Sequence, residues 1–111
     1  MAGKFVLKIA SNSQYRFNLK AANGEVILTS ETYIQKQGAL NGISSVKNNS
    51  SNDSRYERKT SANNQHYFVL KAMNNEIIGV SETYSTAQAM EAGIKSVKNN
   101  APLATLEDLT Q

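Results

Sequence analysis

Residues 5–49 of this 111-residue chain recur 51 positions later as residues 56–100, and 22 of the 45 aligned positions are identical. Chance does not produce such agreement, so the chain is a tandem duplication and its fold must be built from two like units. The matches include Phe17/Phe68, Leu19/Leu70, Lys20/Lys71, Glu25/Glu76 and Ile27/Ile78. They extend to the blocks Ser30-Glu31-Thr32-Tyr33 and Ser81-Glu82-Thr83-Tyr84, and to Val46–Asn49 and Val97–Asn100. A unit of this size lies close to the lower limit of roughly 40 residues for independent folding without disulfides, metals or partners. The chain has no cysteine and no evident metal-ligand set. The two units must therefore share one core, giving a single domain over residues 1–111. Repeat one is assigned to 4–50 and repeat two to 55–101, joined through Ser50–Arg55, with 102–111 as a flexible tail.

Each unit reads as three strands and a helix. Phe5–Ile9 and Tyr15–Ala21 alternate apolar and polar residues with period two, the mark of strands buried on one face, and Phe5, Leu7, Ile9, Tyr15, Phe17 and Leu19 are expected to point inward. Asn23-Gly24 and Asn74-Asn75 supply positive-φ pairs for tight hairpins. Third strands follow at Glu25–Thr29 and Glu76–Val80. The first strand of the second unit, Tyr56-Glu57-Arg58-Lys59-Thr60, has exchanged its apolar residues for charged ones, which suits an exposed sheet edge. Ala39, Ile43 and Val46, matched by Met90, Ile94 and Val97, form a narrow apolar stripe on a helix. Ser85-Thr86-Ala87-Gln88 fits a capping box, absent from the first helix. Gly42 and Gly93 lie in the stripe region and imply a close approach. Asn48-Asn49 and Asn99-Asn100 are expected to stop the helices through a left-handed residue. The outcome is an α+β fold with two β-β-β-α repeats in one antiparallel sheet and both helices on one face.

These segments, Phe17–Ala21 with Phe68–Ala72 and Gly42–Lys47 with Gly93–Lys98, resemble the YegP-like family of small bacterial proteins over residues 4–100. The resemblance implies exchange of the helices, each packing across the other repeat. It supplies no catalytic or ligand residues, because no biochemical function is established for the family.

Few chemistries remain open. The single histidine, His66, aligns with Tyr15 and reads as an inward aromatic substitute; it has no ligand set at metal spacing. There is no Gly-x-Ser-x-Gly nucleophile turn and no glycine-rich phosphate loop, so neither an enzyme nor a cofactor is expected. No apolar run approaches the roughly 20 residues of a membrane span and no secretory signal is visible, which makes a cytoplasmic monomer the default. Lys20, Glu31 and Tyr33, with Lys71, Glu82 and Tyr84, offer a base, an acid and a phenol in duplicate. Retention in both halves fits repeat-building residues better than a catalytic set, which needs asymmetry.

The net charge is +3, with the basic excess in the first half: residues 1–51 carry six Lys/Arg against two Glu. The strand face turned away from the helices carries Val6, Val26, Leu28, Tyr67, Val69 and Ile77 among Lys8, Arg16, Lys20 and Lys71. An apolar patch rimmed by cations fits a protein partner or an acidic ligand. It also fits single-stranded nucleic acid, although Tyr67 is the one aromatic available for stacking. A non-enzymatic interaction module using this face is the leading expectation, ahead of a nucleic-acid binder and, more distantly, a small-molecule enzyme.

Overall fold

The computed structural model describes residues 3–110. Strands β1 (Lys4–Ile9), β2 (Tyr15–Lys20) and β3 (Val26–Thr29) precede helix α1 (Lys36–Asn49). Strands β4 (Tyr56–Thr60), β5 (His66–Lys71) and β6 (Ile77–Val80) precede helix α2 (Ala87–Asn100), and β7 (Thr105–Asp108) ends the chain's regular structure. All seven strands form one sheet in the order β4-β5-β6-β3-β2-β1-β7. The expected α+β duplication is present, with two changes. The tail is part of the sheet, and because β7 runs parallel to β1 the sheet is mixed rather than purely antiparallel.

The halves meet at one registered pair, Thr29 opposite Val80. These positions are equivalent in the two repeats, so a pseudo-twofold axis passes between them. Around it, the core gathers Phe5, Leu7, Phe17, Leu19, Phe68 and Leu70 beneath Ile43, Val46, Ile94 and Val97 of the helices. Each helix straddles the axis. It packs on the second strand of its own repeat and on the third strand of the other, so the exchange implied by the family resemblance is shared rather than complete.

All four hairpins use one three-residue loop. Ala21 and Ala72 accept from the N–H of Gly24 and Asn75 and donate to the carbonyls of Glu25 and Glu76. The third loop residue alone has positive φ: Gly24 at 87° and Asn75 at 69°. Ser13 and Asn64 repeat this in the first hairpin of each unit. This is a type I turn closed by a left-handed bulge residue, instead of the expected two-residue turn with paired positive φ. The β2–β3 and β5–β6 ladders shift register at Leu19/Lys20 and Leu70/Lys71. With one extra residue absorbed, consecutive Ile27 and Leu28 both enter the core.

Leu28 and Gly79 are equivalent positions that did not stay alike. A Cβ on Gly79 would stand 2.6 Å from Leu28 Cγ. Near a twofold axis equivalent side chains compete for one volume, and here Leu28 fills it. Gly42 has a different constraint, because a Cβ there would meet Tyr33 Oη at 2.5 Å and Phe17 Cε2 at 3.0 Å. The close approach expected at Gly42 and Gly93 is thus made by each repeat's own aromatic residues.

The helix ends also differ from expectation. Thr86, one residue later than the proposed box, caps α2 by accepting from Ala89 N–H at 3.0 Å, while Gln35 offers α1 no side-chain cap. Asn49 and Asn100 end the helices without a left-handed residue. Their side-chain amides donate to the Ser45 and Ser96 carbonyls, each at 2.8 Å.

Candidate functional site

The sheet face away from the helices is organised by cross-strand rows. One row runs Glu57, Val69, Val80, Thr29, Asn18, Val6 and Glu107, taking one residue from each strand. Asn18 Nδ2 donates to Thr29 Oγ1 at 2.9 Å near its middle. Val6 and Val69 lie in this row yet are only 5% and 3% exposed. No helix lies on this side, so the long side chains of the sheet itself shield them. Leu28, 1% exposed, belongs to the opposite face and the core because of the bulge. The expected apolar patch therefore loses Val6, Val69 and Leu28. Val26 and Tyr67 remain half-buried and Ile77 exposed. Ile9, expected inward, is 52% exposed at the end of β1.

What the face does present is charge, unevenly. On the repeat-two side, Glu57 accepts ion pairs from Lys71 at 2.6 Å and Lys59 at 3.7 Å. Chiefly the Lys71 bond, with the charge of Lys59, holds the Glu57 carboxyl below its ordinary range. On the repeat-one side, Lys4 stands opposite Lys20, and Lys8 opposite Arg16. Like charges placed directly across a strand pair are destabilising. Lys4 has Glu107 at 2.9 Å, whereas Lys8, Arg16 and Lys20 form no ion pair with a described residue. Arg16 Nε is shielded from solvent and has no acceptor.

The duplicated Ser-Glu-Thr-Tyr blocks lie elsewhere. Ser30 Oγ accepts from Phe17 N–H at 2.9 Å and donates to the Glu31 carbonyl at 2.7 Å; Ser81 does the same for Phe68 and Glu82, at 3.0 and 2.7 Å. These serines fix the corner that leads into the helix. Tyr33 then pairs with Tyr15 through reciprocal backbone bonds of 2.7 Å, as Tyr84 pairs with His66. Its ring stacks on Phe17 at 6.3 Å between centroids. Lys20 and Lys71 are on the other side of the sheet, so the base, acid and phenol do not converge. His66 keeps the half-buried strand position expected of a tyrosine substitute.

Tyr33 instead borders a groove of 680 Å³ between the two repeats. One wall is Glu31, Tyr33 and the exposed part of α1 through Ser45; the other is the β5–β6 hairpin, with Asn74, Glu76 and Ile77. Burial raises the Tyr33 phenol above its ordinary pKa, assisted by Glu31 and Glu76. Tyr84 is raised in the same way by burial, Glu82 and Glu25. The sequence could not bring Glu31 and Glu76 together, since they come from different repeats. The internal repetition of both was the available signal.

Among the described residues there is no group of three or more His, Cys, Asp or Glu placed to hold a metal ion. No described helix is long and apolar enough to cross a membrane. The two spans 10–57 and 61–108 each match the family described as "Domain of unknown function (DUF1508)". The chain belongs to the DUF1508 family. The first matched span begins at the β1–β2 hairpin and runs past α1 into the first two residues of β4, and the second begins at the β4–β5 hairpin and runs past α2 through β7. UPF0339 protein YegP of Escherichia coli K12 is 54% identical over 110 residues, covering 99% of this chain and 100% of that protein. The UPF0339 protein of Shewanella oneidensis is 51% identical over 110 residues, covering 99% and 100%. The E. coli YegP solution structure, a protein of unknown function, matches with a TM-score of 0.94 over 99% of this chain and 95% of that one. The Shewanella structure matches at 0.93, covering 99% and 93%. These relatives establish the DUF1508 tandem-repeat fold, and no enzyme family is indicated.

Proposed function

We propose that this DUF1508 protein is a non-enzymatic binding module that receives an acidic segment of a partner protein on the repeat-one half of its open sheet face. The supporting observation is Lys8 set opposite Arg16 with neither in an ion pair with a described residue, and Lys20 adding positive charge beside the Lys4–Glu107 pair. Such like-charge pairing costs stability in the free protein, and an anionic partner offsets that cost on binding. Nucleic acid fits less well. Tyr67, the aromatic for base stacking, is on β5, three strand spacings from β2 or about 14 Å, and stands opposite Lys59 instead.

An amide NMR titration with a glutamate-rich peptide tests this reading. The β1–β2 amides are expected to shift, with binding weakening as salt screens the contact. The triple variant Lys8→Gln/Arg16→Gln/Lys20→Gln should lose the response, while Lys59→Gln retains it. Shifts confined to other surfaces, or unaffected by the triple variant, would overturn the proposal. A stronger response to a single-stranded oligonucleotide, centred on Tyr67, would favour the nucleic-acid alternative.

A further inference from the structure

We propose that the groove beside Tyr33 is a binding site for an organic cation carrying an alkylammonium group. The chain holds nine acidic residues. Asp53, Glu57, Glu91, Glu107 and Asp108 are all ion-paired. The remaining four are Glu25, Glu31, Glu76 and Glu82, and none pairs with a described cation. Two of them, Glu31 and Glu76, line the groove beside Tyr33. In a chain of net charge +3, two of the four carboxylates left without counter-charges are thus brought together in one groove.

The groove supplies more than charge. Its wall includes the aromatic Tyr33, which stacks on Phe17 and packs over Gly38 and Gly42. Its 680 Å³ lies in the range of small-molecule sites. Carboxylates with a tyrosine ring attract an ammonium both by charge and through the ring's negative face. Ser45 and Ile77 add hydroxyl and apolar contacts along the wall, which fit the N–H groups and methylene stem of an alkylamine, while Asn74 donates to the Glu76 carboxylate at 3.1 Å and orients it. The corner role of Ser30 and Ser81 explains why those residues recur. It does not explain Glu31 and Glu82, whose exposed side chains make no hydrogen bond or ion pair with the described residues.

Amide NMR titration of the full chain with spermidine tests the site. Shifts at residues 31–45 and 72–78 are expected to saturate at about millimolar concentration. Glu31→Gln/Glu76→Gln should weaken them by about tenfold or more; the spectral dispersion of this variant separates misfolding from lost binding. A lysine-containing peptide distinguishes the two sources of the group. Binding of spermidine points to a free amine, and binding of the peptide alone points to a partner's lysine. Equal shifts from magnesium chloride at matched ionic strength, or shifts insensitive to the double variant, would overturn the proposal. Because the cation site and the acidic-partner surface use different residues, each can fail without the other.

Discussion

Leu28 and Gly79 show how a twofold arrangement makes identical positions incompatible. If both were leucine, two branched side chains would claim the space that Leu28 alone fills, and if both were glycine a cavity would remain. Gly79→Leu is therefore expected to destabilise by about 1–3 kcal/mol through overpacking. Leu28→Gly should destabilise by about 2–5 kcal/mol through the cavity and added backbone freedom. The double variant that exchanges them should be more stable than the sum of the single effects predicts, because the two sites share one volume. Denaturant unfolding of the three variants reads this directly. Strict additivity would show that Leu28 does not occupy the space over Gly79. The sequence displays the mismatch as one more divergent pair in the repeat alignment. Only the axis position reveals it as a complementary pair.

At the scale of elements, the two helices differ chiefly at their starts. Thr86→Ala should cost about 1 kcal/mol, and Gln35→Ser should recover a similar amount at α1, whose first residue is preceded by extended backbone suited to a cap. Thermal unfolding measures both. Strand β7 is held by a different force. Lys36 Nζ, at the start of α1, lies 2.6 Å from an Asp108 oxygen, and Asp108 also accepts from Thr110 N–H and Oγ1 at 2.9 and 2.6 Å. Chiefly the Lys36 bond, with those from Thr110, holds the Asp108 carboxyl well below the usual range. A depressed folded pKa means that this stabilisation is complete above the unfolded value of about 3.9 and is lost as pH falls through the folded value. Protection factors over 105–109, corrected for the pH dependence of intrinsic exchange, should therefore fall upon acidification before those of β2 and β5, and Asp108→Asn should lower them already at neutral pH. Uniform exchange across the sheet would refute this. Six strands and both helices were legible from alternation, the apolar stripe and, for the charged β4, its alignment with β1 in the repeat. β7 was not, because Thr-Leu-Glu-Asp has no buried face of its own. It becomes a strand by docking on the apolar β1, whereas the charged β4 remains the other edge. Burial of Val6 and Val69 was also hidden, since long neighbouring side chains rather than a second layer exclude water there.

For the whole molecule, the shared core means that neither repeat stands alone. Fragments 1–50 and 51–111 should each show little cooperative unfolding, and mixing them should restore it; circular dichroism melts of the separate and mixed fragments decide this. A cooperative melt for either fragment would contradict the common core. The candidate sites were legible to different extents for the same reason. The cationic group follows from residues close together on β1 and β2, whereas the acidic groove unites residues 45 positions apart and needs the fold to exist. The seam at Thr29 and Val80 carries one more implication. Backbone pairing across it is slight, and the straddling helices do most of the joining, each reaching over to the opposite unit. A lone unit could complete that arrangement only with a second copy of itself, in the self-complementary contact of a twofold homodimer. The present chain has the architecture of such a dimer whose subunits have been fused, with residues 50–55 serving as the splice and Leu28 and Gly79 recording how two formerly identical surfaces became free to specialise.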